Sequence, residues 1–130
     1  MMNTSSSSVN DLAILDMAAL DTLATLFGDE GPSALVGLID EYLSEIDHAL
    51  PQMDNAIDEQ NSNGLYVLAH TLKSSSANMG AITVAEIAKQ IEAAARIANW
   101  NDASEHLETL KKELPRAQDA MNQYRATLDA

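Results

Sequence analysis

Apolar residues return every three or four positions along almost the whole chain. Nowhere do they alternate with the period of two that a half-buried strand requires. The first helical stretch runs from about Asp11 to Phe27, with Leu12, Leu15, Ala19, Leu23 and Leu26 on one side. "GDEGP" (28–32) stops it, and Pro32 or Ser33 opens the next helix. That second helix carries Leu35, Leu38, Ile39, Tyr42, Leu43, Ile46, Leu50, Met53 and Ile57. Its apolar period crosses Pro51 unbroken, which predicts one long kinked helix and not two short ones. "NSNG" (61–64) makes a turn and supplies an N-cap, and a third helix spans about Leu65 to Met79, ending near Gly80. Thr83 and Glu86 form a Thr-x-x-Glu capping box that opens a fourth helix running to about Ala98. "NWND" (99–102) is the last turn, and a fifth helix covers about Asp102 to Leu128, with Pro115 inside or bending it.

Five amphipathic helices on short connections predict an all-α fold. The expected architecture is an antiparallel up-and-down four-helix bundle with an additional N-terminal capping helix across one end. Residues 11–128 form this domain, and the serine-rich 1–10, "MMNTSSSSVN", reads as a disordered tail. That tail has neither a basic start nor an apolar stretch, so it is not a secretory signal. Composition refines the picture in one respect. Much of the 46% hydrophobic content is alanine and only 4% of residues are aromatic, so the helices pack closely through small side chains.

Charge then removes whole classes of partner. Seven basic residues against 20 acidic ones give a net charge of −13, which repels nucleic-acid phosphates and anionic membrane surfaces. No apolar segment approaches the roughly 18 residues a membrane span needs. With no cysteine, the chain offers no disulfide, thiolate nucleophile or zinc–cysteine site, which is compatible with the cytoplasm.

The candidate chemistry lies in "LAHTLKSSSANMGA" (68–81). With Leu65 set at zero on a helical wheel, Leu68, Ala69, Leu72, Ser76 and Met79 fall within about 60° of it and form the buried stripe. His70 lies about 140° away, Lys73 about 80°, Ala77 about 120° and Ser74 about 180°. The imidazole therefore points outward, with the ammonium one turn along on the same side. Ser74 and Ala77 keep the surrounding surface low, and the serines matter chiefly for being small. Tyr66 and Val67 fall on the solvent side, where they offer apolar surface to a docking protein. Histidine is a competent nucleophile near neutral pH. A phosphoryl group on it would carry two negative charges, which Lys73 at i+3 can neutralise. No glycine-rich phosphate loop or kinase motif accompanies His70, so a partner must supply the rest of the chemistry.

These residues resemble the histidine-containing phosphotransfer (HPt) domain of two-component phosphorelays. Its pattern, roughly Ala-His-x-Leu-Lys-Gly-Ser-(Ser/Ala)-x-x-x-Gly-Ala, is matched by Ala69, His70, Leu72, Lys73, Ser75, Ser76, Gly80 and Ala81. "LDMAALDTLATLFGDEG", "EYLSEIDHALPQMDNAI" and "IAKQIEAAAR" look like the family's flanking helices, so the resemblance covers about 11–125. It implies a phosphoryl group carried on His70, stabilised by Lys73, and exchanged with aspartates of response-regulator receiver domains. It also implies a sensor (hybrid) histidine kinase upstream, a cytoplasmic monomer, and no cofactor in this chain, with Mg2+ coming from the receiver. By the same resemblance Glu92, 22 positions after the histidine, lies beside the imidazole, although pairing with Arg96 at i+4 is an equal alternative. Tyr66, Val67, Ser74 and Ala77 would form the partner-binding surface. Ser74 departs from the pattern, standing where the family often has glycine.

Two other readings compete. A helical-bundle adaptor could bind receiver or kinase domains without phosphotransfer, but the chain keeps both His70 and Lys73. A metal–carboxylate bundle needs paired Glu-x-x-His motifs, and Glu45 to His48 is the single copy. His48 and His106 are expected as solvated surface residues, and no metal site is expected.

Overall fold

The computed structural model describes residues 14–129. Five α-helices follow in order: α1 (Met17–Leu26), α2 (Gly31–Asp58), α3 (Ser62–Asn78), α4 (Ile82–Arg96) and α5 (Trp100–Asp129). A single 3-10 turn, Gly28–Glu30, joins α1 to α2, and no strand occurs among the described residues. The expected tail and the first residues of the expected first helix lie outside the described residues.

Helices α2 to α5 each pack on their chain neighbours, and α5 returns to α2, which closes an antiparallel four-helix ring. The core is built from long side chains such as Leu35, Ile39, Ile46, Met53, Leu65, Leu72, Ile87, Ile91, Leu107, Leu110 and Met121. Buried alanines, among them Ala69, Ala88, Ala95 and Ala103, let the helices approach closely, as the composition suggested. Pro51 and Pro115 are exposed on the outer faces of α2 and α5, and both helices run through them without a break. The α2–α5 seam carries a polar ladder with heptad spacing. Asp54 meets Lys111 at 2.9 Å, Asp47 meets Gln118 at 3.4 Å, and Asp40 meets Arg125 at 2.9 Å. One step of seven residues down α2 is matched by seven up α5, as antiparallel helices in a shallow supercoil require.

Helix α1 covers the end where α2 and α4 begin and α3 and α5 finish. Leu20 is buried against the core, and Tyr124 near the end of α5 donates to Asp21 at 2.6 Å. The Asp16 amide donates to the Gly80 carbonyl at 2.7 Å. The Asp16 carboxylate in turn caps α1 by accepting from the Ala18 and Ala19 amides. That cap explains why α1 starts at Met17 and not near Asp11: residues 14–16 are spent crossing the α3–α4 turn.

Three other boundaries differ from expectation. Helix α3 begins at Ser62, with Asn61 accepting from the Gly64 amide, so the "turn" residues already form its first coil. Helix α5 likewise begins at Trp100, where Asn99 accepts from the Asp102 amide. Thr83 is not the N-cap that the expected Thr83–Glu86 capping box requires. The left-handed Gly80 reverses the chain so tightly that α4 starts at Ile82 with Ala81 as its cap, and Thr83 is buried within the first turn. The serines also do more than stay small. Ser76 is fully buried and shares a 2.6 Å hydrogen bond with the Tyr42 hydroxyl, while Ser75 donates to Glu45 at 2.9 Å. Burial holds the Tyr42 phenol far above its ordinary pKa, so this hydroxyl pair stays neutral and ties α2 to α3.

Gly80 adopts φ +75°, and a Cβ there would stand 2.6 Å from the Asp16 carbonyl oxygen. Gly80→Ala should therefore destabilise the fold by roughly 1–3 kcal/mol in urea unfolding. Ala98, left-handed at φ 54° in the α4–α5 turn, offers the reverse test. Ala98→Gly should be neutral or stabilising by up to about 1 kcal/mol.

Candidate functional site

The register of α3 against α4 brings together residues that are 22 positions apart in sequence. These two helices share the most extensive packing in the molecule, and Ser62 Oγ locks their ends by donating to the Ala95 carbonyl at 2.8 Å. In α3, Leu65, Ala69, Leu72 and Ser76 face the core, which turns His70 and Lys73 to the rim beside α4. The His70 side chain is 53% exposed. Opposite it, Glu92 is buried to 5% although it carries a charge.

Glu92 satisfies both oxygens within this groove. Its Oε2 lies 2.6 Å from His70 Nδ1, and its Oε1 accepts from Lys73 Nζ at 2.6 Å. The ammonium of Lys73 and the His70 ring hold the Glu92 carboxyl below its ordinary pKa, against a smaller opposing effect of burial. An ionised carboxylate can only accept, so His70 Nδ1 carries the ring proton and donates it. In the neutral ring the lone pair is then on Nε2, on the side of the ring away from the backbone. The sequence left Glu92 balanced between His70 and Arg96, and the structure places it on His70 and Lys73.

Arg96 goes elsewhere. Its guanidinium lies over the Tyr66 ring, 5.3 Å from the centroid, and donates to the Tyr66 hydroxyl at 3.3 Å. Tyr66 in turn stacks on the His70 ring, with centroids 5.8 Å apart and planes inclined by 12°. Tyr66 is thus half-buried and packed against the core, where the sequence suggested free apolar surface. Val67 is 51% exposed, and Ser74 and Ala77 are exposed too. Sequence reasoning missed Arg96 as a neighbour of the histidine. Its i+4 spacing from Glu92 was visible, but the ring between Arg96 and His70 was not.

The other two histidines stand apart from this cluster. His48 is exposed, with Nδ1 2.8 Å from the Ser44 carbonyl, and His106 is half-buried on α5. Among the described residues no group of three or more His, Asp or Glu side chains is arranged to hold a metal ion. No helix among them is long and apolar enough to cross a membrane.

With this geometry in view, comparison with known proteins is informative. Residues 37–120 match the family described as the Hpt domain. The fold is similar to the crystal structure of histidine-containing phosphotransfer protein B from Pseudomonas aeruginosa PAO1, with a TM-score of 0.78 and 26% identity. That match covers 88% of this chain and 96% of that one. A candidate histidine-containing phosphotransfer protein from rice superposes with a TM-score of 0.73 over 95% of this chain and 90% of its own. At 18% identity the rice protein speaks to the fold alone. No curated protein matches the chain.

The lowered pKa of Glu92 makes stability depend on pH with a definite sign. Its contribution is complete above the unfolded value of about 4.3 and is lost as pH falls toward the lower folded value. Glu92→Gln should therefore cost roughly 1–3 kcal/mol in urea unfolding at pH 7. The gap between wild type and variant should narrow below about pH 4. A gap that is flat across pH would contradict an ionised, partnered Glu92.

Proposed function

The chain belongs to the Hpt domain family, and from that premise we propose that it carries a phosphoryl group on Nε2 of His70. Hpt domains are phosphoryl carriers without enzymatic activity of their own, and they interact with receiver and kinase domains. For this chain we take the exchange to occur with the aspartate of a response-regulator receiver domain, in the cytoplasm. The observation that carries the reading is the bond from Nδ1 to Glu92, which in the neutral, half-exposed ring leaves the lone pair on Nε2.

The step balances without any further group from this chain. Nε2 attacks phosphorus as the bond to the aspartyl oxygen breaks, and the electron pair leaves with the aspartate. The ring, keeping its Nδ1 proton, becomes a phosphorylated imidazolium. Glu92 sits 2.6 Å from that proton and stabilises the positive charge as it develops, much as the acid of a hydrolase triad supports its histidine. Lys73, three residues along, is within reach of the phosphoryl oxygens and screens their negative charge in a loose transition state. In the unphosphorylated structure its ammonium rests on Glu92, so stabilising the phosphoryl group requires it to shift or divide its hydrogen bonds. Mg2+ and the acidic pocket are supplied by the receiver. Val67, Ser74 and Ala77 form the surface on which that partner settles.

Incubation with a phosphorylated receiver and Mg2+ tests the assignment. Wild type should become labelled, His70→Gln should not, and Glu92→Gln should label roughly tenfold or more slowly. Undiminished labelling of His70→Gln would sink the proposal.

A further inference from the structure

We propose that Tyr66 is a positioning residue for His70, clamped in place by Arg96, and not a contact for the partner. The inference rests on the function proposed above and adds to it a device that fixes the direction of attack.

Side chains of a helix lean toward its N-terminus, so the ring at position 70 lies over the turn that carries position 66. In this chain a tyrosine fills that turn, and the two rings lie nearly parallel at 5.8 Å, within the range of an offset stack. The bond from Nδ1 to Glu92 fixes one atom of the imidazole but still allows the ring to tilt about it. The Nε2 lone pair lies in the ring plane, so any tilt swings the nucleophile off line. A flat neighbour parallel to the ring restrains that remaining tilt.

Tyr66 can do this because it is itself held at two points from α4. The Arg96 guanidinium covers its ring, and the same group donates to its hydroxyl. Helix α4 thus supplies both restraints on the histidine: Glu92 acts directly through Nδ1, and Arg96 acts through Tyr66. A tyrosine serving mainly as a docking contact would present its ring to the partner. Here the ring is half-buried, packed against the core and occupied by His70 and Arg96.

The test separates positioning from docking by using two phosphodonors. Phosphoramidate needs no protein surface: Nε2 bonds to phosphorus as the P–N bond breaks and ammonia leaves. Labelling at His70 is followed by site-resolved mass spectrometry, alongside transfer from a phosphorylated receiver. Tyr66→Ala should slow both reactions by about tenfold, since small misalignments of reacting groups carry penalties of that order. Tyr66→Phe keeps the stacking ring and should stay within about threefold of wild type, and Arg96→Met should fall between the two. The proton resonances of the His70 ring should lose the ring-current shift from Tyr66 in Tyr66→Ala and keep it in Tyr66→Phe. A circular dichroism spectrum like that of wild type establishes that each variant is folded.

A Tyr66→Ala variant slowed only with the receiver would make Tyr66 a docking contact and overturn the proposal. Wild-type rates with both donors would overturn it equally. Failure of the wild-type protein to accept phosphate from any receiver would instead remove the proposed function, while leaving the ring-current result to report on the stack.

Discussion

One buried carboxylate, Glu92, organises this molecule. Taking a charged group such as Glu92 out of water is costly unless its oxygens are paired and hydrogen-bonded. Both oxygens are, each at 2.6 Å, and both partners come from one turn of the facing helix. The pairing holds only in one register of α3 against α4. A slip of either helix by one residue would rotate His70 and Lys73 away and leave the carboxylate stranded. The bundle's packing and the geometry of its histidine are therefore the same constraint seen from two sides.

The remaining charges fit around that centre. Of the seven basic residues, Lys73, Lys89 and Arg96 belong to α3 and α4, and the other four are on α5. On α5, Lys111, Arg116 and Arg125 are engaged with Asp54, Glu113 and Asp40. The α5 cations are thus largely occupied with acidic neighbours, as Lys73 is with Glu92, while α3 and α4 together carry three cations against two carboxylates, Glu86 and Glu92. In a chain of net charge −13 this local excess matters for a site proposed to receive a dianion, because the protein's overall field opposes it.

What was legible in the sequence is what periodicity encodes. The stripe of Leu65, Ala69, Leu72 and Ser76 was readable, and it fixed the outward direction of His70 and the rim position of Lys73. The readings left open or incomplete have a common physical origin: they concern groups whose surroundings come from another helix. Glu92 belongs to α4 and was ambiguous until α3 was placed beside it. Tyr66 looked free because a helical wheel has no view of Arg96 arriving from α4. Ser76 was read as merely small because its partner, Tyr42, lies 34 residues away. Thr83 and Glu86 had the spacing of a capping box, but the turn at Gly80 had already settled where α4 begins. The heptad ladder of Asp40, Asp47 and Asp54 with Lys111, Gln118 and Arg125 was present in the spacing all along. It becomes meaningful only once α2 and α5 are known to be antiparallel neighbours.

The shared lysine has a consequence for a carrier. A group that passes phosphate on must hold it neither too weakly nor too tightly, since each increment of stabilisation in the loaded state is lost again on transfer. If Lys73 were unpaired at rest, its full attraction to the phosphoryl oxygens would count toward holding the cargo. Instead its ammonium begins on Glu92, so turning to the phosphoryl group gives up one charge-assisted bond to make another. Only the difference stabilises the loaded form. Glu92 would be compensated in the same step, because an imidazolium formed on phosphorylation would interact with it more strongly than a neutral ring. Under the proposed function the trio would redistribute its hydrogen bonds as phosphate arrived and left. That balance suits reversible transfer, and it follows from placing the acid between the two basic side chains and not to one side of them.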